Sequence, residues 1–381
     1  MAQFVTRHVQ NPLDEFRFLL CGIDTLDVGL FVNWDNYWPD RLEYYQNKKE
    51  ESFGNKGLLD QTSKGRHYIH HPSGKPPRYR FHIQFPEYHL FIGISKEPKL
   101  GTPNLYASFA SESLWLLGID KLTEQLKTDI SCFGGVLQII SPSRIDLAAD
   151  FLIPNGLTYD FLMQHRVSRS RANSSHFTDE CLETCYFGDK DSPIRLRIYD
   201  KSLEVQRGGV KDWFIPLWGI EENRNVWRIE YQIRRAVLKQ FGVNSLSDLY
   251  SRIGGIWENF TTEWFSLRLK DNEKTERRTT HPFWFDVQAC ASRFGDLSLV
   301  EREYLCDCQA SIDWYISQTS GFTISIAARL GNPNRDEIFK EIQYRIKRHC
   351  PDDKFLDEYA KRRIGLGKQV NQGDDDEEYP F

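Results

Sequence analysis

The sequence predicts an α+β protein, with an antiparallel sheet whose one face is helix-covered and whose other face is open and polar, followed by a mostly helical C-terminal region. Two observations carry this. Four stretches alternate with a period of two: RYRFHIQF at 78–85, SRIDLAADF at 143–151, IRLRIYDK at 194–201 and NVWRIEYQIRR at 225–235. From about residue 236 onward apolar residues recur instead at spacings of three and four, as amphipathic helices require.

A chain of 381 residues with 40% hydrophobic and 14% aromatic content can bury a sizeable core and is too apolar for a disordered protein. No apolar run reaches the about 18 residues of a membrane helix, and the opening MAQFVTRHVQNPLDEF lacks the apolar segment of a signal peptide. A cytoplasmic protein with reduced thiols is expected, and CLETC (181–185) and CDC (306–308) read as idle cysteines without the partners of a zinc site. The formal charge of −5 conceals an uneven distribution. DDDEE at 374–378 holds five of the 54 acids, and the 49 that remain match the 49 Lys plus Arg. A neutral body can still carry a basic face.

Taken in order, GIDTLDVGLFV (22–32) predicts the first strand. A charged, Gly-dotted loop follows through QNKKEESFGNKGLLDQTSKGR, and HYIHH (67–71) falls in a loop as a surface histidine cluster with a DNA-facing role. In the next strand Phe81, Ile83 and Phe85 oppose Arg80, His82 and Gln84. SESLWLLGIDKLTEQLKTDI (111–130) predicts a helix, SRIDLAADF a strand, and LTYDFLMQHRV a helix after the Asn155-Gly156 turn. SRSRANSSH (168–176) reads as a basic loop, and two strands then flank the turn GDKDSP. KDNEKTERRTTHP (270–282) predicts a boundary, which divides the chain into 1–275, a helical accessory domain 276–365 and an acidic tail 366–381.

The polar faces of three strands form a chemical set. RIDLAAD contributes Arg144, Asp146 and Asp150, RLRIYDK contributes Arg195, Arg197, Tyr199 and Lys201, and WRIEYQIRR contributes Arg228, Glu230, Gln232 and Arg234. Surface Arg and Asp often form ion pairs of little consequence. Three such strands in one chain point further, to phosphodiester chemistry. Carboxylates offer hard oxygen ligands to Mg²⁺ or Mn²⁺. A tyrosine hydroxyl, with a pKa near ~10, needs a metal or nearby cations to favour the phenolate, and Arg195, Arg197 and Lys201 are placed to supply that field.

SRIDLAADF, YFGDKDSPIRLRIYDKSLE and WRIEYQIRR, in that order, resemble the Rep_trans group of rolling-circle replication initiators, and the likeness spans about residues 20–260. The resemblance implies a metal-dependent nickase that attacks one DNA strand through a tyrosine, keeps a 5′-phosphotyrosine link and frees a 3′-hydroxyl. Carried onto this chain, Tyr199 is the nucleophile with Tyr186 in reserve, Arg197 and Lys201 brace the phosphate, and Asp146, Asp150 and Glu230 hold Mg²⁺ or Mn²⁺. None of the 10 histidines forms the His-hydrophobic-His motif of the familiar nickases. Arg144, Arg195, Arg228, Arg234, Arg169 and Arg171 are the expected DNA contacts. The alternatives are a relaxase of an integrative or conjugative element and a non-enzymatic, sequence-specific DNA-binding sheet in which Tyr199 stacks on a base. The implied partners are origin DNA in single-stranded, hairpin or supercoiled form and a second copy of the chain in a homodimer, in the cytoplasm of a bacterium. The helix EREYLCDCQASIDWYIS is expected either to pack in a core or to supply the dimer interface. The tail, which closes on Tyr379, Pro380 and Phe381 after Asp374, is similar to the acidic tip of bacterial single-stranded-DNA-binding protein and implies recruitment of host helicase or other replication proteins.

Overall fold

The computed structural model describes residues 15–54, 57–99, 101–209, 211–220, 225–295, 312–356 and 359. The chain opens with β1 (Arg17–Trp34), helix α1 (Trp38–Glu51) and five short strands: β2 (Leu58–Gln61), β3 (His67–His71), β4 (Phe81–Gln84), β5 (Tyr88–Ile92) and β6 (Leu105–Phe109). Helix α2 (Ser111–Cys132) leads into β7 (Gly135–Leu152), followed by α3 (Tyr159–His165), β8 (Arg166–Ser168), β9 (Asn173–Thr178), β10 (Cys181–Phe187) and β11 (Ile194–Asp200). Two short helices, α4 (Lys201–Gly208) and α5 (Phe214–Trp218), precede β12 (Val226–Arg234). Then come α6 (Arg235–Gln240), α7 (Leu246–Asn259), β13 (Phe265–Leu267), α8 (Pro282–Ala289) and α9 (Ala291–Phe294). These belong to a compact unit spanning 1–302, while a second unit, 303–381, holds α10 (Ile312–Leu330) and α11 (Arg335–His349).

Eleven strands form one antiparallel sheet in the order β2-β3-β4-β5-β6-β1-β7-β12-β11-β10-β9. Alternation dictates its two faces. Ile145, Leu147, Leu196, Ile198, Ile229, Tyr231 and Ile233 point to one side and are fully buried there with Leu249, Ile256 and Trp257 of α7 and Trp284 of α8. Helix α7 starts sharply because Ser245 and Asp248 form a reciprocal capping box. The other face carries the polar set. At one end it is covered by a second, small apolar cluster of Val205, Phe214, Trp218 and Val226, packed with Trp115 of α2.

Helix α2 serves both faces. It breaks at Gly118, with φ 77° and ψ 162°. Before the break Trp115 joins the polar-side cluster, and after it Leu122, Leu126 and Ile130 enter the main core. Gly22 of β1 makes room for this, since a Cβ there would meet the Trp115 ring at 2.7 Å.

Several expectations are corrected. The charged loop expected after residue 45 begins as α1 and ends in β2, because Trp38 and Tyr45 bury one helical stripe while Lys48 and Glu51 pair on the exposed side. HYIHH is strand β3, with Tyr68 and His70 turned into the protein. The second half of SRSRANSSH is β9, the strand at one edge of the sheet. The first compact unit continues past residue 276, because Phe283 and Trp284 are fully buried in its core. Most of EREYLCDCQASIDWYIS, and the acidic tail with Asp374 and Phe381, lie outside the described residues. Among the described residues no helix is long and apolar enough to cross a membrane.

Candidate active site

Tyr199 stands one residue before the end of β11, at a strand-to-helix corner. The corner is fixed by Asp200, whose carboxylate caps α4 by accepting from the Leu203 amide at 3.1 Å and from the Ser202 hydroxyl at 2.7 Å. Strand parity turns the Tyr199 ring onto the polar face, and it is only 8% exposed. Its hydroxyl donates to Oε2 of Glu230 on β12 at 3.0 Å. The other Glu230 oxygen takes the Arg197 guanidinium. The Lys201 ammonium lies 3.4 Å from the Tyr199 hydroxyl and pairs with Glu204, which Lys211 also holds at 2.6 Å.

This electrostatic setting differs from the expected one. Burial, and then the charge of Glu230, push the Tyr199 phenol well above its ordinary value in spite of Arg228 and Arg197, so the resting group is a protonated donor and not a phenolate. Burial and the neighbouring Arg228 pull the Lys201 ammonium down to about 8. Glu204 resists burial and is held at about 2 by Lys201 and Lys211.

The three acids expected to share a metal ion occupy different settings. Asp146 is paired with Arg144 at 2.9 Å, and burial, with the charge of Glu230 adding to it, raises its carboxyl to about 6. Glu230 sits one register step away, since Gln232 faces Asp146 and Glu230 faces Ala148. Asp150 is locked elsewhere: its oxygens accept from Arg228 at 2.6 and 2.8 Å and from the Trp218 indole at 2.8 Å. Among the described residues no three His, Cys, Asp or Glu side chains are grouped to hold a metal ion. Asp146 and Glu230 are hard carboxylates one register step apart, and a divalent cation there would have to displace Arg144 from Asp146 and Tyr199 or Arg197 from Glu230, while Asp150 is held apart in the buried Arg228 centre.

The cations are also sorted. Arg228, expected on DNA, is fully buried between Asp150 and Asp24, which it meets at 2.6 Å, and is therefore a structural centre and not a DNA contact. Arg195 lies over the Tyr186 ring at 3.9 Å. Arg234 donates to the Lys190 carbonyl at 3.0 Å and Arg169 pairs with Glu263 at 2.9 Å, both at the surface, where Arg171 is also exposed. Tyr186, opposite Arg197 in the register, shares the polar face with Tyr199.

A cleft of about 470 Å³ opens over this constellation, with Tyr199, Arg197, Tyr186, Glu183, Glu204 and Arg207 in its lining. Arg207 spans its rim in a two-pronged pair with Glu183 at 2.5 and 2.7 Å.

Three participants escape a reading of parity: Asp24, Glu204 and Arg207. Counted by twos from Leu26, Val28 and Leu30, Asp24 belongs on the core face. A register shift between Ile23 and Thr25 turns it to the polar face, where it accepts from Ser111, Trp115 and Arg228. Burial works against its charge, and Arg228 and Lys201 hold it far below the usual carboxylate range. Glu204 and Arg207 lie on α4, which begins at Lys201, where alternation had extended the strand.

No family model matches this sequence, and no curated protein matches it. Among solved structures the chain is similar in fold to a rolling circle replication initiator protein from Geobacillus stearothermophilus, at 14% identity and a TM-score of 0.44, over 75% of this chain and 100% of that one.

Proposed function

We propose that this chain is a rolling-circle replication initiator that nicks one DNA strand through Tyr199. The observation that carries the reading is the Tyr199 hydroxyl held between the Glu230 carboxylate at 3.0 Å and the Lys201 ammonium at 3.4 Å beneath a cleft. A protonated phenol needs a base, and Glu230 is in contact with it. The Tyr199 oxygen bonds to phosphorus as its proton passes to Glu230. The bond from phosphorus to the 3′-oxygen breaks, and that oxygen takes up a proton to become the 3′-hydroxyl primer. Arg197 and Lys201 face the charge that grows on the phosphate. Asp146 and Glu230 would hold Mg²⁺ or Mn²⁺, which would polarise a phosphate oxygen.

The test is covalent capture. Parent protein with Mg²⁺ or Mn²⁺ should nick single-stranded or supercoiled origin DNA and retain the 5′ end, Tyr199→Phe should do neither, and Tyr186→Phe should do both. Labelling that survives Tyr199→Phe and is lost in Tyr186→Phe reassigns the nucleophile. Full activity in excess chelator ends the metal assignment. The low exposure of Tyr199 favours a second reading, a sheet that only binds DNA, under which no adduct forms with any variant. We also propose that the tail ending in Phe381 recruits host replication proteins and that the initiator acts as a homodimer. Deleting Phe381 should spare nicking and lower replication, and light scattering should give the dimer mass.

A further inference from the structure

Strand β1 and the junction of α8 with α9 bring two thiols together behind the sheet. Alternation alone would put Cys21 on the face opposite Phe18, three residues earlier. The register shift between Phe18 and Leu20 adds a residue, so Leu19 and Leu20 both pack with the polar-side cluster and Cys21 joins Phe18 on the helix-covered face. Cys290 stands where α8 ends and α9 begins, and is 1% exposed in the same core. The two thiols are in hydrogen-bond contact. Besides the Cys21 sulfur, the Cys290 thiol has the Asp286 carbonyl as an acceptor at 3.3 Å.

The pair is unequal. Cys21 is half-buried, whereas Cys290 is sealed from solvent. The hydrogen bond from Cys290, with the charge of Arg293 adding to it against burial, holds the Cys21 thiol below its ordinary value. The same bond, and then burial, push the Cys290 thiol well above its own. Arg293 is stationed there by Phe18, whose ring centroid lies 4.1 Å from its guanidinium. A half-buried thiol that leans toward thiolate, touching a second thiol that keeps its proton, has the asymmetry of an oxidisable cysteine and its resolving partner. Cysteines that only fill space have no use for a cation beside them.

We propose that Cys21 and Cys290 form a redox modification site, at which a hydroperoxide oxidises Cys21 and Cys290 resolves the product to a disulfide. The Cys21 thiolate sulfur bonds to one peroxide oxygen and the O–O bond breaks. With hydrogen peroxide the departing hydroxide takes up a proton as water, and Cys21 is left as a sulfenic acid. The Cys290 sulfur then bonds to the Cys21 sulfur, the S–O bond breaks, and the second hydroxide leaves as water with the proton of Cys290. Two thiols give up two electrons in all, and the peroxide takes both. The bond closes a loop of roughly 270 residues and ties β1, which carries Asp24 three residues further on, to the helices behind it. The site stands independently of the nicking reading.

The test is peptide mapping of the full-length parent, folded and fully reduced, after a small excess of hydrogen peroxide and alkylation of the remaining thiols. A linked peptide holding Cys21 and Cys290 should appear and should vanish in dithiothreitol. The linked protein should melt about 5 °C above the reduced one and lose that gain in dithiothreitol. Cys290→Ser should form no link and should keep a sulfenic acid on Cys21 that dimedone captures, while Cys21→Ser should leave Cys290 unmodified. Peroxide that modifies the exposed Cys181 and leaves Cys21 and Cys290 as free thiols overturns the site. A link that forms only in urea overturns it as well. Both decisive maps are made on the parent, so neither depends on a variant that folds.

Discussion

Glu230 and Tyr199 meet diagonally: Arg197 is the residue opposite Glu230, Arg228 is opposite Tyr199, and the phenol crosses one step to reach the carboxylate at 3.0 Å. Glu230→Gln keeps the shape and removes the base. Single-turnover adduct formation should fall by about 10²–10⁴, with DNA affinity unchanged or higher. A rate within about twofold of the parent would remove Glu230 from the proton transfer.

Lys201 gives a pH signature. Its folded-state value of about 8 lies below its ordinary 10.5, so between these values the unfolded chain binds more protons and stability rises with pH. Thermal melts of the parent and Lys201→Met should therefore differ most below about pH 8, with the methionine variant gaining, and converge above pH 10. The cation near the Tyr199 oxygen is lost over the same window. Adduct formation should decline above about pH 8, and Lys201→Arg should carry activity to higher pH.

Arg228 joins Asp24 and Asp150, with Arg228 and Asp150 fully buried and Asp24 nearly so. Arg228→Met leaves Asp150 buried without a counter-charge and Asp24 with Lys201 alone, and should cost about 3–5 kcal/mol in denaturant unfolding. Arg228→Lys should recover only part of this, since one ammonium cannot reproduce the two-pronged contact to Asp150 together with the bond to Asp24.

Asp146 carries the opposite sign to Lys201. Its carboxyl, raised from 3.8 to about 6, makes the folded state bind more protons in that window, so stability falls as pH rises through it. Asp146→Asn should raise the melting temperature at pH 7 by about 2–4 °C and give no gain near pH 3.5. A melt unchanged at pH 7 would mean that the Arg144 contact fully offsets burial. Under the proposed function the same variant should lose nicking in Mg²⁺ or Mn²⁺ while still binding DNA, whereas Asp150→Asn should act on stability.

The faces of the strands were legible because alternation is a local property: Tyr199, Arg197, Glu230 and Asp146 all stand where parity puts them. What parity could not carry was pairing. Nothing in RIDLAAD or WRIEYQIRR says that Asp150 will be spent on Arg228 while Glu230 stays with Tyr199, because that choice is made by Trp218 and Asp24 arriving from α5 and β1. Asp24 itself was hidden by the register shift beside it. The helix α1 and strand β3 were missed for a related reason, since their buried residues, Trp38, Tyr45, Tyr68 and His70, are polar-tipped aromatics that read as surface.

The break in α2 at Gly118 has a mechanical meaning. The half-helix bearing Trp115 rests on Asp24 and Gly22, within the scaffold that holds Arg228 beneath Tyr199, and the other half is anchored among Leu122, Leu126 and Ile130 on the far side of the sheet. The two halves act as the arms of a clasp closed over the bare end of β1, so prying the floor under Tyr199 loose also strains the opposite layer. The sheet around Tyr199 is thereby gripped from both sides by one uninterrupted piece of chain, and freedom to move is left to the outer wall of the cleft, α4 and its Arg207 latch on Glu183.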